Sequence, residues 1–300
     1  MKQIALIFFT ISLLGFSKAD SQTISGTLSA HVGQELRLDG FNGLQTYTIN
    51  STRISSDGSF TLSYAEKEPG MGILITANDE TFVVVLSGED IRIEGESLSI
   101  PETLNISNCR ENTLFEQYAS EHVRREQTLT AWAYLNRIYE TDELFSIHNE
   151  PQKAILKEIG RIKTEDEAFL AGLNPESYIY YYLPLRKLVS SVSAVAQFRT
   201  EDIPSTIESF RHIDYTDDRL FRTGLLGDII ESHVWLIENS GRSLDSVFVE
   251  LNISLDILAE NLTGNPDRFN EIAERFFDVL EERSLFASSE HLVLSLLNNY

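Results

Sequence analysis

Sulfur is scarce in this sequence of 300 residues, which contains one cysteine and two methionines. Because Cys109 has no second thiol within the chain, the sequence excludes an intrachain disulfide and a self-contained C-x-x-C redox site. Two interpretations of Cys109 stay open. We expect it to pack as a small apolar residue, and the alternative is a disulfide between two chains.

Positive charge is scarce as well, since 24 Lys and Arg residues face 46 Asp and Glu residues and give a formal net charge of −22. Both parts of the chain are acidic: residues 20–105 carry 13 acidic and 4 basic residues, and residues 106–300 carry 33 and 18. Neither part offers a basic face for phosphate groups. The sequence therefore argues against nucleic-acid binding and against binding to anionic lipid.

Tight clusters of metal-ligating residues are missing. None of the six histidines lies in an H-E-x-x-H motif, and the nearest pairings are His122 with Glu126 and Glu231 with His233. Zinc needs three or four converging ligands, which these pairs do not supply. The sequence predicts no metal site and no metal cofactor.

Motifs for nucleophilic catalysis and for phosphate binding are missing too. The sequence has no G-x-S-x-G elbow, and Gly224 and Gly227 lack the third glycine of a phosphate-binding turn, so we expect them to serve close helix packing. Asp214, Asp217 and Asp218 lack the turn glycine and the distal glutamate of a calcium loop and predict a loop before a helix. We predict no catalytic and no cofactor-binding residue.

One long apolar run lies at the start of the chain, in MKQIALIFFTISLLGFSKAD. Lys2, the apolar stretch after it, and the small residues Ser17 and Ala19 are typical of a signal peptide over residues 1–19, with cleavage after Ala19. We therefore expect an exported protein of the periplasm or cell envelope. The remaining chain has no apolar stretch of the length that a membrane span needs.

Short, partly alternating β-branched and aromatic runs fill residues 20–106 and predict seven strands in an antiparallel β-sandwich. Asp57-Gly58 marks one tight hairpin turn. The run Phe82 to Leu86 does not alternate, which predicts a strand in the centre of a sheet.

Helical periodicity begins after this region and predicts an all-α bundle of about nine helices over residues 107–300. The chain as a whole is therefore predicted to be an α+β multidomain protein. Asn108 with Glu111 and Thr164 with Glu167 resemble capping boxes at helix starts. Pro184 predicts a kink or break in a long helix.

A tyrosine-rich patch is the most distinctive local feature of the helical part. It combines four tyrosines with two basic residues: Tyr178, Tyr180, Tyr181, Tyr182, Arg186 and Lys187. Tyr and Arg are enriched at binding hot spots, but such a run more often packs one helix against another. Helix packing is the expected role, and a binding surface is the alternative.

Four stretches of the helical part carry a resemblance to a known family. They read CRENTLFEQYASEHVRREQTLTAWAYLNRIYETDELF, SYIYYYLPLRKLVSSVSAVAQFRTEDIP, FRHIDYTDDRLFRTGLLGDIIESHVWLIENSG and LEERSLFASSEHLVLSLLN. The chain resembles bacterial exported thiol–disulfide oxidoreductases of the TlpA/ResA-like kind. The resemblance implies a β-rich N-terminal domain, a helical middle region and a C-terminal thioredoxin-like domain with a C-x-x-C motif.

The chain departs from that family at the residues that carry its chemistry. The sequence ends at Tyr300, about where the thioredoxin-like domain would begin, and Cys109 does not match the redox pair. Thiol–disulfide exchange needs a second, resolving thiol close to the first. We therefore expect a non-catalytic scaffold or interaction portion that supports a thioredoxin-like domain, through a protein partner or self-association. The alternative is a stand-alone binding or structural module of the cell envelope.

Overall fold

Eight strands precede eight α-helices in the computed structural model, which describes residues 21–65, 69–262 and 266–299. The strands are β1 Ser21–Leu28, β2 Glu35–Asn42, β3 Gln45–Arg53, β4 Ser59–Ala65, β5 Gly70–Thr76, β6 Thr81–Leu86, β7 Ile91–Gly95 and β8 Asn105–Ser107. The helices are α1 Arg110–Thr141, α2 Asn149–Ala171, α3 Tyr178–Phe198, α4 Ile203–Arg211, α5 Leu226–Glu238, α6 Leu244–Leu262, α7 Pro266–Glu282 and α8 Phe286–Asn299. The α+β class predicted from the sequence is confirmed.

The strands form two four-stranded sheets, in the orders β4-β1-β7-β8 and β3-β2-β5-β6. Inward-facing apolar side chains from both sheets, among them Ile24, Leu38, Leu62 and Val84, make one buried cluster between the sheets. Alternate residues of a strand point to opposite faces, so the short alternating runs of the sequence supply this inner layer.

Two details of the sheets go beyond the predicted strands. β1 pairs with β7 in parallel, with Ile24 opposite Ile91, whereas the other strand pairs among the described residues are antiparallel. β8 spans three residues and pairs with β7. A three-residue strand is too short to show periodicity, which explains why the sequence predicts seven strands instead of eight.

β6 lies at the edge of its sheet, so the prediction of a central position for Phe82 to Leu86 is wrong. Its lack of alternation has another cause, because helix α1 covers the outer face. Val84 faces the sandwich core, while Val85 packs into a second cluster with residues of the bundle. The buried Asn112 side chain of α1 accepts a hydrogen bond from Val85 N and donates one to Val85 O, both at 2.8 Å. Asn112 thus occupies the place of a neighbouring strand.

The start of α1 differs from the predicted capping box. Asn108 has a left-handed φ of 66°, and Cys109 is the N-cap residue, without a side-chain capping bond. Glu111 Oε2 instead accepts a hydrogen bond of 3.0 Å from Ile179 N at the first turn of α3. An N-cap residue needs an extended backbone, which the conformation of Asn108 does not provide.

A shared apolar cluster joins the sandwich to the bundle. Met71 and Val85 of the sheet pack with Phe115 and Tyr118 of α1 and with Tyr178 of α3, together with further residues of the helical part.

A second contact between the two parts lies at Gly224, where a Cβ atom would be 2.6 Å from the ring of Phe41 in β2. Gly224 also has a φ of 69°, so the position favours glycine on two grounds. The close packing predicted for this glycine therefore involves a strand rather than a second helix.

Two predicted helix boundaries are absent from the described residues. α2 continues through Thr164, whose hydroxyl donates to the carbonyl of Gly160, so the second capping-box pattern lies inside a helix. α3 continues through Pro184, so of the kink or break predicted there the break is absent. A capping motif starts a helix only where the preceding residues leave the helical conformation, and here no break precedes it. This accounts for eight helices in place of about nine.

The predicted signal peptide, residues 1–19, lies outside the described residues. Within the described ranges, no helix combines the length and apolar character that crossing a bilayer requires.

We predict that Asn112→Ala destabilises the protein by about 3 kcal/mol, because it leaves the buried N–H and C=O of Val85 without partners. Denaturant unfolding of the purified protein measures the effect. Gln117→Ala, at an exposed position of the same helix, is the control and should change stability by no more than about 0.5 kcal/mol. A loss below about 1 kcal/mol for Asn112→Ala would show that the edge strand does not depend on this side chain.

Cys109 is 3 % exposed, and its Sγ accepts a hydrogen bond of 3.0 Å from Asn112 Nδ2 and lies 3.4 Å from Ser87 Oγ. We expect thiol reagents to modify the native protein at least about a hundredfold more slowly than the denatured protein, because access requires local opening. Rapid native labelling, or a dimer that disappears on reduction, would contradict this packing role.

Candidate functional site

A groove of about 910 Å³ lies in the helical part of the described residues. Helix α3 forms its floor, α1 and α2 contribute one wall, and α4 with the loop that follows it contributes the other. A groove of this volume, open along one side, is the kind of site that binds a ligand or a peptide segment.

The floor of the groove is a stripe of mostly apolar residues on one face of α3. Tyr181, Leu185, Leu188 and Val195 recur at the spacing of a single helix face, and all four line the groove. Val195 is only 3 % exposed, so the accessible part of the stripe runs from Tyr181 to Leu188 and, at 1.5 Å per residue, is about 10 Å long. It therefore offers apolar contact over roughly two helical turns.

The tyrosine patch predicted from the sequence is divided between two faces of α3. Tyr178 and Tyr182 are buried in the cluster shared with the sandwich, as expected for helix packing. Tyr180 and Tyr181 line the groove, and Tyr180 is 42 % exposed. The guanidinium of Arg219 lies 4.1 Å from the ring centre of Tyr181. Half of the patch therefore belongs to the core and half to the groove.

The two basic residues of the patch also separate. The guanidinium of Arg186 lies 5.1 Å from the ring centre of Phe115, so it covers the shared cluster. Lys187 Nζ reaches into the groove wall and lies 2.7 Å from Asp166 Oδ2. The patch thus contributes one cation to the groove.

Asp166 of α2 is the centre of a buried polar network and is only 2 % exposed. Besides Lys187, it contacts His122 Nδ1 at 3.1 Å and Arg125 Nη1 at 3.6 Å, and it accepts a hydrogen bond of 3.3 Å from Tyr118 OH. These partners belong to α1 and α3, so one carboxylate ties three helices together.

The pKa of Asp166 reflects two opposing effects. Burial acts to raise it, but the hydrogen bonds and charges of His122 and Lys187 outweigh burial and lower the pKa to about 2. The carboxylate is therefore ionised across the physiological range and holds its cationic partners in place.

Ser190, His122 and Asp166 are connected in the order of a hydrolase triad, since Ser190 Oγ lies 3.3 Å from His122 Nε2. Two features favour a structural role for these contacts over a catalytic one. The Ser190 hydroxyl donates to the carbonyl oxygen of Lys187, so its proton is not directed to the imidazole. Ser190 also lies inside α3, where backbone N–H groups are engaged in the helix and cannot form an oxyanion hole.

Further ion pairs line the groove walls. Arg199 Nη2 lies 2.8 Å from Glu126 Oε2, and Lys163 Nζ lies 2.9 Å from Asp202 Oδ2. Arg219 pairs with Asp217 at 2.6 Å. With Lys187 on Asp166, each Lys and Arg that lines the groove has an anionic partner.

The residue pairs considered as metal ligands from the sequence do not meet. His122 contacts Asp166, whereas Glu126 contacts Arg199. His233 is buried, and its Nε2 lies 3.2 Å from Ser254 Oγ. In the described ranges, no group of three or more His, Cys, Asp or Glu residues has the arrangement of a metal site.

Burial, and next the charge of Arg211, lower the pKa of His233 to about 3, so it is a neutral core residue. Glu231, the other member of its predicted pair, contacts Arg275 on α7. The acidic residues considered as a calcium loop also have local partners instead of converging on one point. Asp214 Oδ1 accepts a hydrogen bond from Thr216 N, as in a loop turn.

The sequence did not single out Asp166, Arg199 or the floor residues Leu185 and Leu188. Asp166 is one of 46 acidic residues, and nothing near it in the chain distinguishes a buried carboxylate from a surface one. The apolar floor was present as a helical stripe, but α3 is apolar around much of its circumference. Its open face becomes visible only once the neighbouring helices are placed.

Comparison with family models, with curated proteins and with solved structures finds no match to this chain. The resemblance to thiol–disulfide oxidoreductases therefore stays a hypothesis from the sequence, and the function has to be argued from the groove.

We predict that Asp166→Asn destabilises the protein by about 3 kcal/mol at pH 7, because it leaves the cations of the network without their buried anion. The free energy of unfolding from denaturant titrations measures the loss. Asp278→Asn, at an exposed position of α7, is the matched control and should have little effect.

The same pair of proteins gives a pH test. A carboxylate with a lowered folded-state pKa stabilises the protein fully above its unfolded pKa, near 4, and this stabilisation is lost as the pH falls towards 2. The wild-type protein should therefore lose about 2 kcal/mol more than Asp166→Asn between pH 4 and pH 2. Parallel stability curves would contradict the role of Asp166.

Proposed function

We propose that this chain is a non-catalytic interaction module of an exported protein, and that it binds a protein partner in the groove along α3. The observation that carries the proposal is the groove itself. Its floor is apolar over about two turns, and the Lys and Arg residues of its walls are already paired with carboxylates of the chain.

The state of the chemically reactive groups supports the non-catalytic part of the proposal. Cys109 is buried at the junction of sandwich and bundle, away from the groove lining. The hydroxyl of Ser190 is bonded to a backbone carbonyl, and Asp166 is neutralised by cations on neighbouring helices. Each of these groups has a structural partner that accounts for its position.

Pre-paired walls suit recognition of a protein segment. A charge that already has a partner costs less to cover than a solvated, unpaired charge, because part of its interaction is retained when water leaves. Tyr180 and Tyr181 add aromatic surface of the type that dominates binding energy at interfaces.

The sequence supports two forms of this function. The family resemblance favours a partner with a thioredoxin-like domain, which the module would position or support. The alternative is a stand-alone module of the cell envelope without a redox role. Export itself rests on the signal-peptide pattern of residues 1–19.

Site-specific photocrosslinking in cells that naturally make the protein tests the proposal. A photoreactive phenylalanine analogue replaces Tyr180 in the groove or, as the control, Tyr134 on α1, which is 54 % exposed and does not line the groove. We expect a discrete adduct from position 180 that is absent from position 134, because only the first probe faces the bound segment.

The adduct also separates the two forms of the function. Peptides of a thioredoxin-like protein in the adduct would favour the supporting role, and another envelope protein would favour the stand-alone module. No adduct at position 180, or the same adducts at both positions, would contradict binding in the groove.

A further inference from the structure

The floor of the groove has the dimensions and pattern of a helix-binding surface. Tyr181, Leu185 and Leu188 form a ridge with spacings of four and three residues, which is the spacing that packs against a facing helix. Helices on both sides of α3 form the walls, so a segment lying along α3 would contact the floor and both walls. The accessible apolar stripe of about 10 Å matches two turns of a partner helix.

The charge of the groove is negative and is distributed on both walls. Each of the four Lys and Arg residues of the lining is engaged in an ion pair, whereas Glu167 on α2 and Asp214 after α4 have no ion pair among the described residues. Both side chains are exposed. A bound segment therefore meets an unneutralised carboxylate on each flank.

We propose that the occupant of the groove is a cationic amphipathic helix of a partner protein, with an apolar face on α3 and Lys or Arg side chains on both flanks. This inference rests on the proposed function and specifies the partner's chemistry. Complementary charge favours such a helix, since opposite charges across an interface steer association and select the partner. A second copy of the chain is disfavoured, because each copy carries a formal net charge of −22.

Synthetic helical peptides of about 18 residues, labelled for fluorescence anisotropy, test the proposal with the full protein. The first carries leucines on one face and lysines on both flanks, the second has glutamates in place of the lysines, and the third has the first composition with two central prolines. We expect the lysine helix to bind at least about tenfold more tightly than the other two peptides. Only this peptide combines an apolar helical face for the floor with positive charges for the carboxylates of the walls.

A charge variant of the protein locates the binding site. Glu167→Lys combined with Asp214→Asn should weaken binding of the lysine helix about fivefold to tenfold. Asp214→Asn keeps an oxygen that can accept the hydrogen bond from Thr216 N. The matched control combines Glu143→Lys with Glu102→Gln, two exposed positions outside the groove, and alters the net charge equally. It should change affinity less than twofold.

Equal losses of affinity in the groove variant and the control variant would overturn the proposal, because the effect would then come from the overall charge of the protein. Preference for the glutamate or the proline peptide would overturn it too. A dimer in sedimentation that the groove variant abolishes would assign the groove to a second copy instead. If the photocrosslinking probe at position 180 gives an adduct but the three peptides bind equally, the cationic helix is refuted and the proposed function is retained. If the lysine peptide binds but no adduct forms in cells, the proposed function is refuted.

Discussion

The paired hydrogen bonds between the Asn112 side chain and the backbone of Val85 are the interaction on which the arrangement of the two parts depends. An edge strand presents unpaired N–H and C=O groups, and burying them without partners is costly. The amide of Asn112 has one acceptor and one donor group in the geometry of a peptide bond, so it completes the strand. With both groups satisfied, α1 can cover the outer face of β6 and bury Val85 beside Phe115 and Tyr118.

This junction also determines where the groove lies. Tyr118, His122, Arg125 and Glu126 follow Asn112 on the same helix within four turns and supply contacts to Asp166 and Arg199. Anchoring the first turns of α1 on the sandwich therefore places one wall of the groove. Helix α3 is held in a comparable way, because Glu111 binds its first turn and its buried tyrosines join the shared cluster.

Local periodicity was sufficient to predict the class of the fold and most elements, because alternation and helical stripes record which face each segment buries. It misjudged β6, whose uniform apolar run reflects a covering helix instead of a central position. It also misjudged Glu111, since a capping-box pattern does not reveal that the carboxylate binds another helix. Asp166 could not be predicted for the same reason: its partners lie 44 and 21 residues away and meet it only in the tertiary structure.

The charged residues of the groove fall into two groups: buried ion pairs that stabilise the fold, and exposed carboxylates that would select the partner in the proposed complex. Asp166 and its partners are buried and bonded to one another, so they hold the helices in position and would change little when the groove is covered. Glu167 and Asp214 contribute no ion pair among the described residues, and each projects from a different wall. An unpaired exposed carboxylate gains an interaction when a cation approaches and loses hydration when an apolar or anionic group approaches. In the proposed complex the floor supplies apolar contact without regard to charge, so discrimination among amphipathic segments would depend on these two carboxylates.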